Sequence, residues 1–219
     1  MTSDYDRTVG RALRHAEKWI LHHPEALQLD RPVRPYLRPF LEGRTLTSIL
    51  DVGTGILPSV GAQHPTALID LTSCDLYADE FRALLTRLRM VPTPEVYVER
   101  QDMTALTYPD ESFDLVHCAN ALDHTADPFA AIREMVRVCV PGGIVYLRHA
   151  RNVGKLERYT ALHQWNIEPA DDGDCHFWTP TAQFMLSDCM PGFSTHMETK
   201  IEGLEGANRV VSVFKKEAS

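Results

Sequence analysis

The sequence predicts an α/β fold built on a parallel, doubly wound sheet. Three observations carry that prediction. Short apolar runs at 48–52, 67–73, 96–99, 113–118 and 144–147 alternate with stretches of helical periodicity. The first run ends in a glycine turn, Gly53-Thr54-Gly55, as a strand does when it feeds a ligand-binding loop. The 219 residues, 44% hydrophobic and 24% charged, suit one soluble domain with a full core.

The elements follow in order. Residues 5–22 read as an amphipathic helix, with Val9, Leu13, Ala16, Trp19 and Ile20 near helical spacing and Pro24 ending it. Pro32, Pro35 and Pro39 allow only a short helix near 35–41. This arm, 1–46, is expected to form a helical cap that covers the sheet edge, or a lid with Trp19 or Tyr36 facing a pocket. Strand one is 48–52, and Pro58 suits the first turn of a short helix after it. Strand two is 67–73. A helix at 79–89 follows, with Phe81, Leu84, Leu85 and Leu88 on one face. Strand three is 96–99 and strand four 113–118. Pro128 opens a helix to about Val138, Pro141-Gly142-Gly143 stops it, and strand five is 144–147. Lys155–Gln164 reads as helical, and Thr179 or Thr181 as the cap of a helix running to Cys189. Residues 194–201 and 209–215 read as a closing strand pair.

The glycine corner is not that of a dinucleotide enzyme. Counting from Gly53 gives G-T-G-I-L-P, with Pro58 at the position of the third glycine. The acid, Asp51, precedes the glycines, which suits a hydroxyl or ammonium group. Asp75 lies 20 residues beyond Gly55, at the end of strand two, where a carboxylate can accept both hydroxyls of a ribose. Asp70 is its rival but sits inside the strand pattern. Asp102, just past strand three, could accept an exocyclic amine or serve as a turn residue.

Several motifs then fall in one order. D-x-G-x-G at 51–55, Q-D-M at 101–103, Y-P-D-E-S-F-D-L-V at 108–116, A-L-D-H at 121–124, D-P at 127–128 and P-G-G at 141–143 together resemble the type 11 branch of the class I S-adenosylmethionine (SAM)-dependent methyltransferases. The resemblance covers 47–150 and implies a Rossmann-like seven-stranded methyltransferase sheet with an antiparallel C-terminal hairpin strand. It implies one methyltransferase domain over 1–219, with 47–150 as the SAM-binding core and 151–219 as substrate-cap segment and hairpin. It implies SAM as cofactor, held by Asp51, Gly53, Thr54 and Gly55 at the methionine moiety, Asp75 and Leu76 at the ribose, Asp102 and Met103 at the adenine, and Ala119 and Asn120 on the sulfonium side. Leu57 departs from the family's third glycine, and 59–63 leaves room for only a cut-down first helix.

After strand five the family offers no shared motif. His149, Arg151, Asn152, His163, Trp165, Asn166, His176 and Trp178 crowd one region, and polar groups beside aromatics suit a hydroxylated or planar substrate. Arg151, Trp165 and Asn166 are the expected substrate contacts. A bound sulfonium already carries an activated methyl group, so the enzyme must align a nucleophile and exclude water. A hydroxyl nucleophile gains from a general base, and histidine suits neutral pH. His124, His149 and His163 are the candidates; a neutral amine would need none.

No metal is expected. Asp171, Asp172, Asp174 and His176 lack the spacing of a calcium loop and read as a solvated turn around Gly173. The net charge of −8 argues against nucleic acid as partner. No apolar run approaches the ~20 residues of a membrane span, and the N-terminus lacks the apolar core of a signal peptide. The five cysteines form no C-x-x-C. A cytoplasmic methyltransferase for a small molecule or saccharide, with a homodimer as one assembly, is therefore the expected function. A SAM-binding non-catalytic subunit and an NAD-linked oxidoreductase are the competing readings.

Overall fold

The computed structural model describes residues 4–159, 162–190, 198–202 and 208–217. Its strands and helices are α1 (Asp4–His22), β1 (Leu46–Val52), β2 (Leu68–Asp75), α2 (Ala78–Leu88), β3 (Val98–Arg100), β4 (Phe113–Ala119), α3 (Pro128–Val138), β5 (Cys139–Ala150), α4 (Val153–Leu156), β6 (Asn166–Pro169), β7 (Cys175–Trp178), β8 (Gln183–Met185), β9 (Glu198–Glu202) and β10 (Arg209–Lys215). A seven-stranded sheet has the order β3-β2-β1-β4-β5-β10-β9. β1 and β3 run parallel to β2, and β4 runs parallel to β5. β10 is antiparallel to β5 and to β9. The predicted α/β sheet with an antiparallel C-terminal pair is therefore present. Half of the predicted 194–201 strand and most of the 202–208 connection lie outside the described residues. Among the described residues, no helix is long and apolar enough to cross a membrane.

The chain divides into two compact units, one ending at Gln101 and the other starting at Asp102. In the first, Ile49, Leu50 and Val52 of β1 are fully buried, as a strand covered on both faces requires. α2 buries Ala78, Phe81, Leu84 and Leu85, and closes at Arg89 in the left-handed region (φ 55°). The proline-rich arm forms two 3-10 turns, Pro24–Leu27 and Pro35–Phe40, and works as a strap. Val33, Leu37 and Leu41 are fully buried, and the strap is stitched at two points. Leu29 N–H donates to Thr93 O at 2.7 Å, and Val33 N–H donates to Gln63 O at 2.9 Å. Trp19 stands 39% exposed, stacked on His23 at 5.1 Å.

The short helix expected after β1 does not form. Residues 53–62 make turns and bends instead. The backbone N–H groups of Ser59 and Val60, which a helix start would point outward, turn back onto the Asp51 carboxylate. Gln63 is already spent on the strap, its N–H donating to Arg31 O at 3.1 Å.

In the second unit α3 has the predicted bounds. Pro128 fills its first position, and Asp127 caps it by accepting Ala130 N–H at 2.9 Å. β5 starts directly at Cys139 rather than after Pro-Gly-Gly, so these residues lie within the strand, beside an irregularity against Phe113–Leu115. A Cβ on Gly143 would meet Cys139 Sγ at 2.7 Å and Val140 O at 2.8 Å, so only glycine lets the strand pass there.

The region after β5 departs most from prediction. Among the described residues, in place of helices at 155–164 (160–161 lie outside them) and 181–189, it holds the one-turn α4 and an antiparallel sheet β6-β7-β8, followed by a 3-10 turn Leu186–Cys189. Phe184 explains the change. It stacks on Phe177 at 4.8 Å and meets Trp165 and Phe129 edge-on at 5.6 and 5.5 Å. Thr179 does act as a cap, but of the β7–β8 turn: its Oγ1 accepts Ala182 N–H at 2.9 Å.

Candidate functional site

The first unit supplies a motif loop and an acid. Asp51, next to last in β1, is fully buried. Its Oδ2 accepts Ser59 N–H and the Thr54 hydroxyl, both at 2.7 Å, and Ser59 Oγ reaches both carboxylate oxygens at 2.9 Å. Asp51 thus holds the loop from beneath. Gly53 and Gly55 have φ of 65° and 76°, the left-handed region that favours glycine. Gly53 and Thr54 N–H both donate to Cys74 O, at 2.8 and 3.1 Å, which ties the loop to β2. Nothing lies within 4 Å of a Cβ built on Gly55, so this side of the loop is open.

Asp75 ends β2, and its carboxylate joins the two loops. Oδ2 accepts Gly55 N–H at 2.9 Å and Oδ1 accepts Tyr77 N–H at 2.8 Å. Burial pushes its pKa up, against those two hydrogen bonds. Each oxygen keeps a lone pair, as holding a ribose diol would require. Leu76 follows it, half-buried. Asp70, the rival, is exposed within β2. Leu57, at the family's third glycine, is buried and with Ile56 lines a cavity of about 670 Å³ shared with Phe81, Leu85, Arg82 and Tyr97. None of the candidate cofactor residues lines that cavity.

In the second unit Asp102 is exposed and forms a turn. Its Oδ1 accepts Thr104 N–H at 2.9 Å and the Thr104 hydroxyl at 2.7 Å, with Met103 half-buried in the same turn. Ala119 is the last residue of β4. Asn120 is left-handed (φ 51°), and its Oδ1 accepts Ala150 N–H at 3.0 Å and Arg209 Nη1 at 2.8 Å.

The three candidate histidines share one neighbour that sequence reading did not single out, Asp123. It lies in the 3-10 turn Leu122–His124 after β4, its side chain 5% exposed. Its Oδ2 is bonded to His163 Nδ1 and lies 3.7 Å from His124 Nε2. His124 Nε2 and His163 Nδ1 are 3.1 Å apart, with the rings edge-on at 4.6 Å. Gln164 N–H donates to Asp123 O at 2.7 Å and fixes the approach of the His163 segment. Burial alone would raise Asp123, but the bond from His163 and the three histidines hold it below the usual carboxylate range. His163 is raised by that same bond, against burial. His149, fully buried on β5, feels Asp123 electrostatically, yet burial pushes it down to about 4. Among the described residues, neither of its ring nitrogens has a hydrogen-bond partner. The only sequence signal for Asp123 is its place in A-L-D-H.

The expected substrate contacts have internal tasks. Asn166 is fully buried; it accepts Lys155 N–H at 2.7 Å and donates to Tyr159 Oη at 2.9 Å. Arg151 pairs with Glu168 at 3.3 Å, and Glu168 also receives Trp178 Nε1 and Asn152 Nδ2. Trp165 packs edge-on against Phe184. The acidic stretch 171–174 is a hairpin turn around Gly173 (φ 87°), and Asp174 is buried, accepting Cys175 N–H.

Residues 50–147 fit the type 11 methyltransferase domain family. They resemble the SAM-dependent methyltransferase domains of that family, over just under half of the chain. SAM is accordingly its cofactor. The chain is 26% identical over 168 residues to 2-methyl-6-phytyl-1,4-hydroquinone methyltransferase of Synechocystis sp., covering 75% of this chain and 46% of that one. It is 29% identical over 138 residues to the ubiquinone/menaquinone biosynthesis C-methyltransferase UbiE of Nitrosospira multiformis, covering 59% of this chain and 54% of that one. It thus spans about half the length of these curated relatives. Its fold is that of the N-methyltransferase NodS from Bradyrhizobium japonicum WM9 in complex with S-adenosyl-L-homocysteine, with a TM-score of 0.56 and 16% identity over 97% of this chain and all of the other.

Proposed function

We propose that this methyltransferase transfers the methyl group of SAM to an oxygen or nitrogen nucleophile of a small molecule or glycan unit, by in-line displacement with water excluded. The bound cofactor supplies a methyl group already activated by the sulfonium. The protein's task is to hold, align and deprotonate. In the first unit Asp75 offers its oxygens to the ribose hydroxyls, pre-oriented by Gly55 and Tyr77 N–H, and the open face at Gly55 admits the ligand close to backbone. Asp51 acts one step back, by fixing the loop.

The observation that carries the chemical half is the Asp123 cluster. A hydroxyl acceptor must lose its proton, and two imidazoles beside one buried carboxylate, His163 bonded to Asp123 and His124 at 3.7 Å, suit that task. Carboxylate–imidazole contact of this kind sets the tautomer of the ring and stabilises its protonated form. A second reading, methylation at an aromatic carbon, is favoured by the two relatives, a hydroquinone methyltransferase and a C-methyltransferase. It needs the same O–H ionisation, which makes the ring carbon nucleophilic, and then loss of the ring C–H proton, which restores the aromatic ring after methyl transfer.

Calorimetry with SAM and S-adenosylhomocysteine, on wild type and Asp75→Ala, tests the cofactor half, with NAD as control. Binding of both sulfur ligands that is lost in the variant is expected. Binding of NAD in place of SAM would overturn the reading. Methylation of a phenol, a hydroquinone and an amine panel, followed by mass spectrometry, then separates the acceptor classes.

A further inference from the structure

We propose that Asp123, His124 and His163 form a binding site for a divalent transition cation of the zinc class. Three lone-pair atoms converge: Asp123 Oδ2, His124 Nε2 and His163 Nδ1, all within 4.8 Å of one another. They come from two stretches of chain about 40 residues apart in sequence. Among the described residues this is the one group of His, Cys, Asp and Glu side chains so disposed.

Proton bookkeeping favours a cation over hydrogen bonds alone. His163 Nδ1 is within bonding distance of both Asp123 Oδ2 and His124 Nε2. Nδ1 carries at most one proton. If that proton goes to Asp123, the two imidazole nitrogens at 3.1 Å share no well-directed hydrogen of their own. A cation accepts a lone pair from each of the three atoms at once. It also answers the charge. Asp123 is 5% exposed; among the described residues its ion-pair partners are these histidines, and Arg209 acts on it electrostatically from beyond ion-pair distance. A buried carboxylate of that kind needs a positive partner.

The surroundings suit a metal as well. Two nitrogens and one oxygen form a borderline donor set, and three protein ligands leave a position open for water or a substrate oxygen. With Nδ1 engaged, the His163 proton sits on Nε2, which faces Glu157 Oε2 at 3.7 Å. This is an ion-pair distance rather than a hydrogen bond, and it sets a carboxylate on the outer side of the ring, where metal-bound histidines commonly have one. The histidine side chains are 32% and 24% exposed, which gives a cation a way in. With the cation in place, His124 and His163 act as ligands, and an acceptor hydroxyl bound at the open position would lose its proton more easily there than in water. The site stands on these distances and not on the methyl-transfer reading, so either can fail alone.

The test uses the full, untagged chain, stripped with a chelator and titrated with Zn²⁺ against a chromophoric competitor. One equivalent per chain is expected. Binding in the same concentration range should vanish in His124→Ala and in His163→Ala, each checked for folding by its thermal melt. Glu157→Gln should weaken binding by about tenfold. Absence of stoichiometric binding, or its survival in both histidine variants, would overturn the site. Should the variants not fold, the Co²⁺ spectrum of wild type decides. Ligand-field bands without thiolate charge transfer support imidazole and carboxylate ligands; a thiolate band would assign the metal to cysteine and sink the proposal. SAM binding measured on the stripped protein keeps the two readings apart.

Discussion

The Asp51 carboxylate accepts the backbone N–H of Ser59 at 2.7 Å, eight residues further along the chain. That bond stands where a helix N-terminus was expected. The fully buried carboxylate also takes Val60 N–H and the hydroxyls of Thr54 and Ser59. Asp51→Ala should therefore cost about 3 kcal/mol of stability, because a charge-assisted network is lost and the loop's donors are left without an acceptor. Urea unfolding measures this. A loss under about 1 kcal/mol would show that the loop holds itself without Asp51.

Gly61 sits where the strap crosses the motif loop. A Cβ built there falls 2.1 Å from Pro32 O and 2.6 Å from Arg31 O, both backbone atoms that cannot swing away. Gly61→Ala should push the strap off and cost about 2 kcal/mol. Amide exchange is the direct readout. The Val33 and Gln63 N–H groups, which bridge strap and loop, should lose protection first, while those of α2 stay protected.

His149 should make the protein acid-labile. Its folded pKa, about 4, lies below the ordinary 6.5, so between these values the unfolded chain binds a proton that the folded chain refuses. Stability from this group is complete above pH 6.5 and is lost as pH falls toward 4. The loss should reach about 2 kcal/mol by pH 5. Asp123 opposes the shift, while His117, His124 and Arg209 add to it beside burial. Unfolding of wild type and His149→Leu at pH 7.5 and pH 5 gives the comparison. The variant should lose this part of the pH dependence. Equal slopes in the two proteins would place the acid sensitivity elsewhere.

Local pattern determined much of this protein. The strand Ile49–Val52, the helix Pro128–Val138 and the acid after strand two could be read from the sequence because each rests on neighbours in the chain: an apolar run, a capped amphipathic period, a break at the strand end. Motif order between 51 and 143 also named the domain family. What only tertiary structure decided is where long-range partners override local preference. Asp51 turned a predicted helix start into a loop by taking its N–H groups. Gly143 let a strand run through Pro-Gly-Gly, which otherwise reads as a stop. Phe184, through its contacts with Phe129, Trp165 and Phe177, drew an apparent helix into a sheet. Asp123 carried no periodicity or spacing to mark it, since the partner that gives it meaning, His163, is 40 residues away in the chain and adjacent only once both are folded.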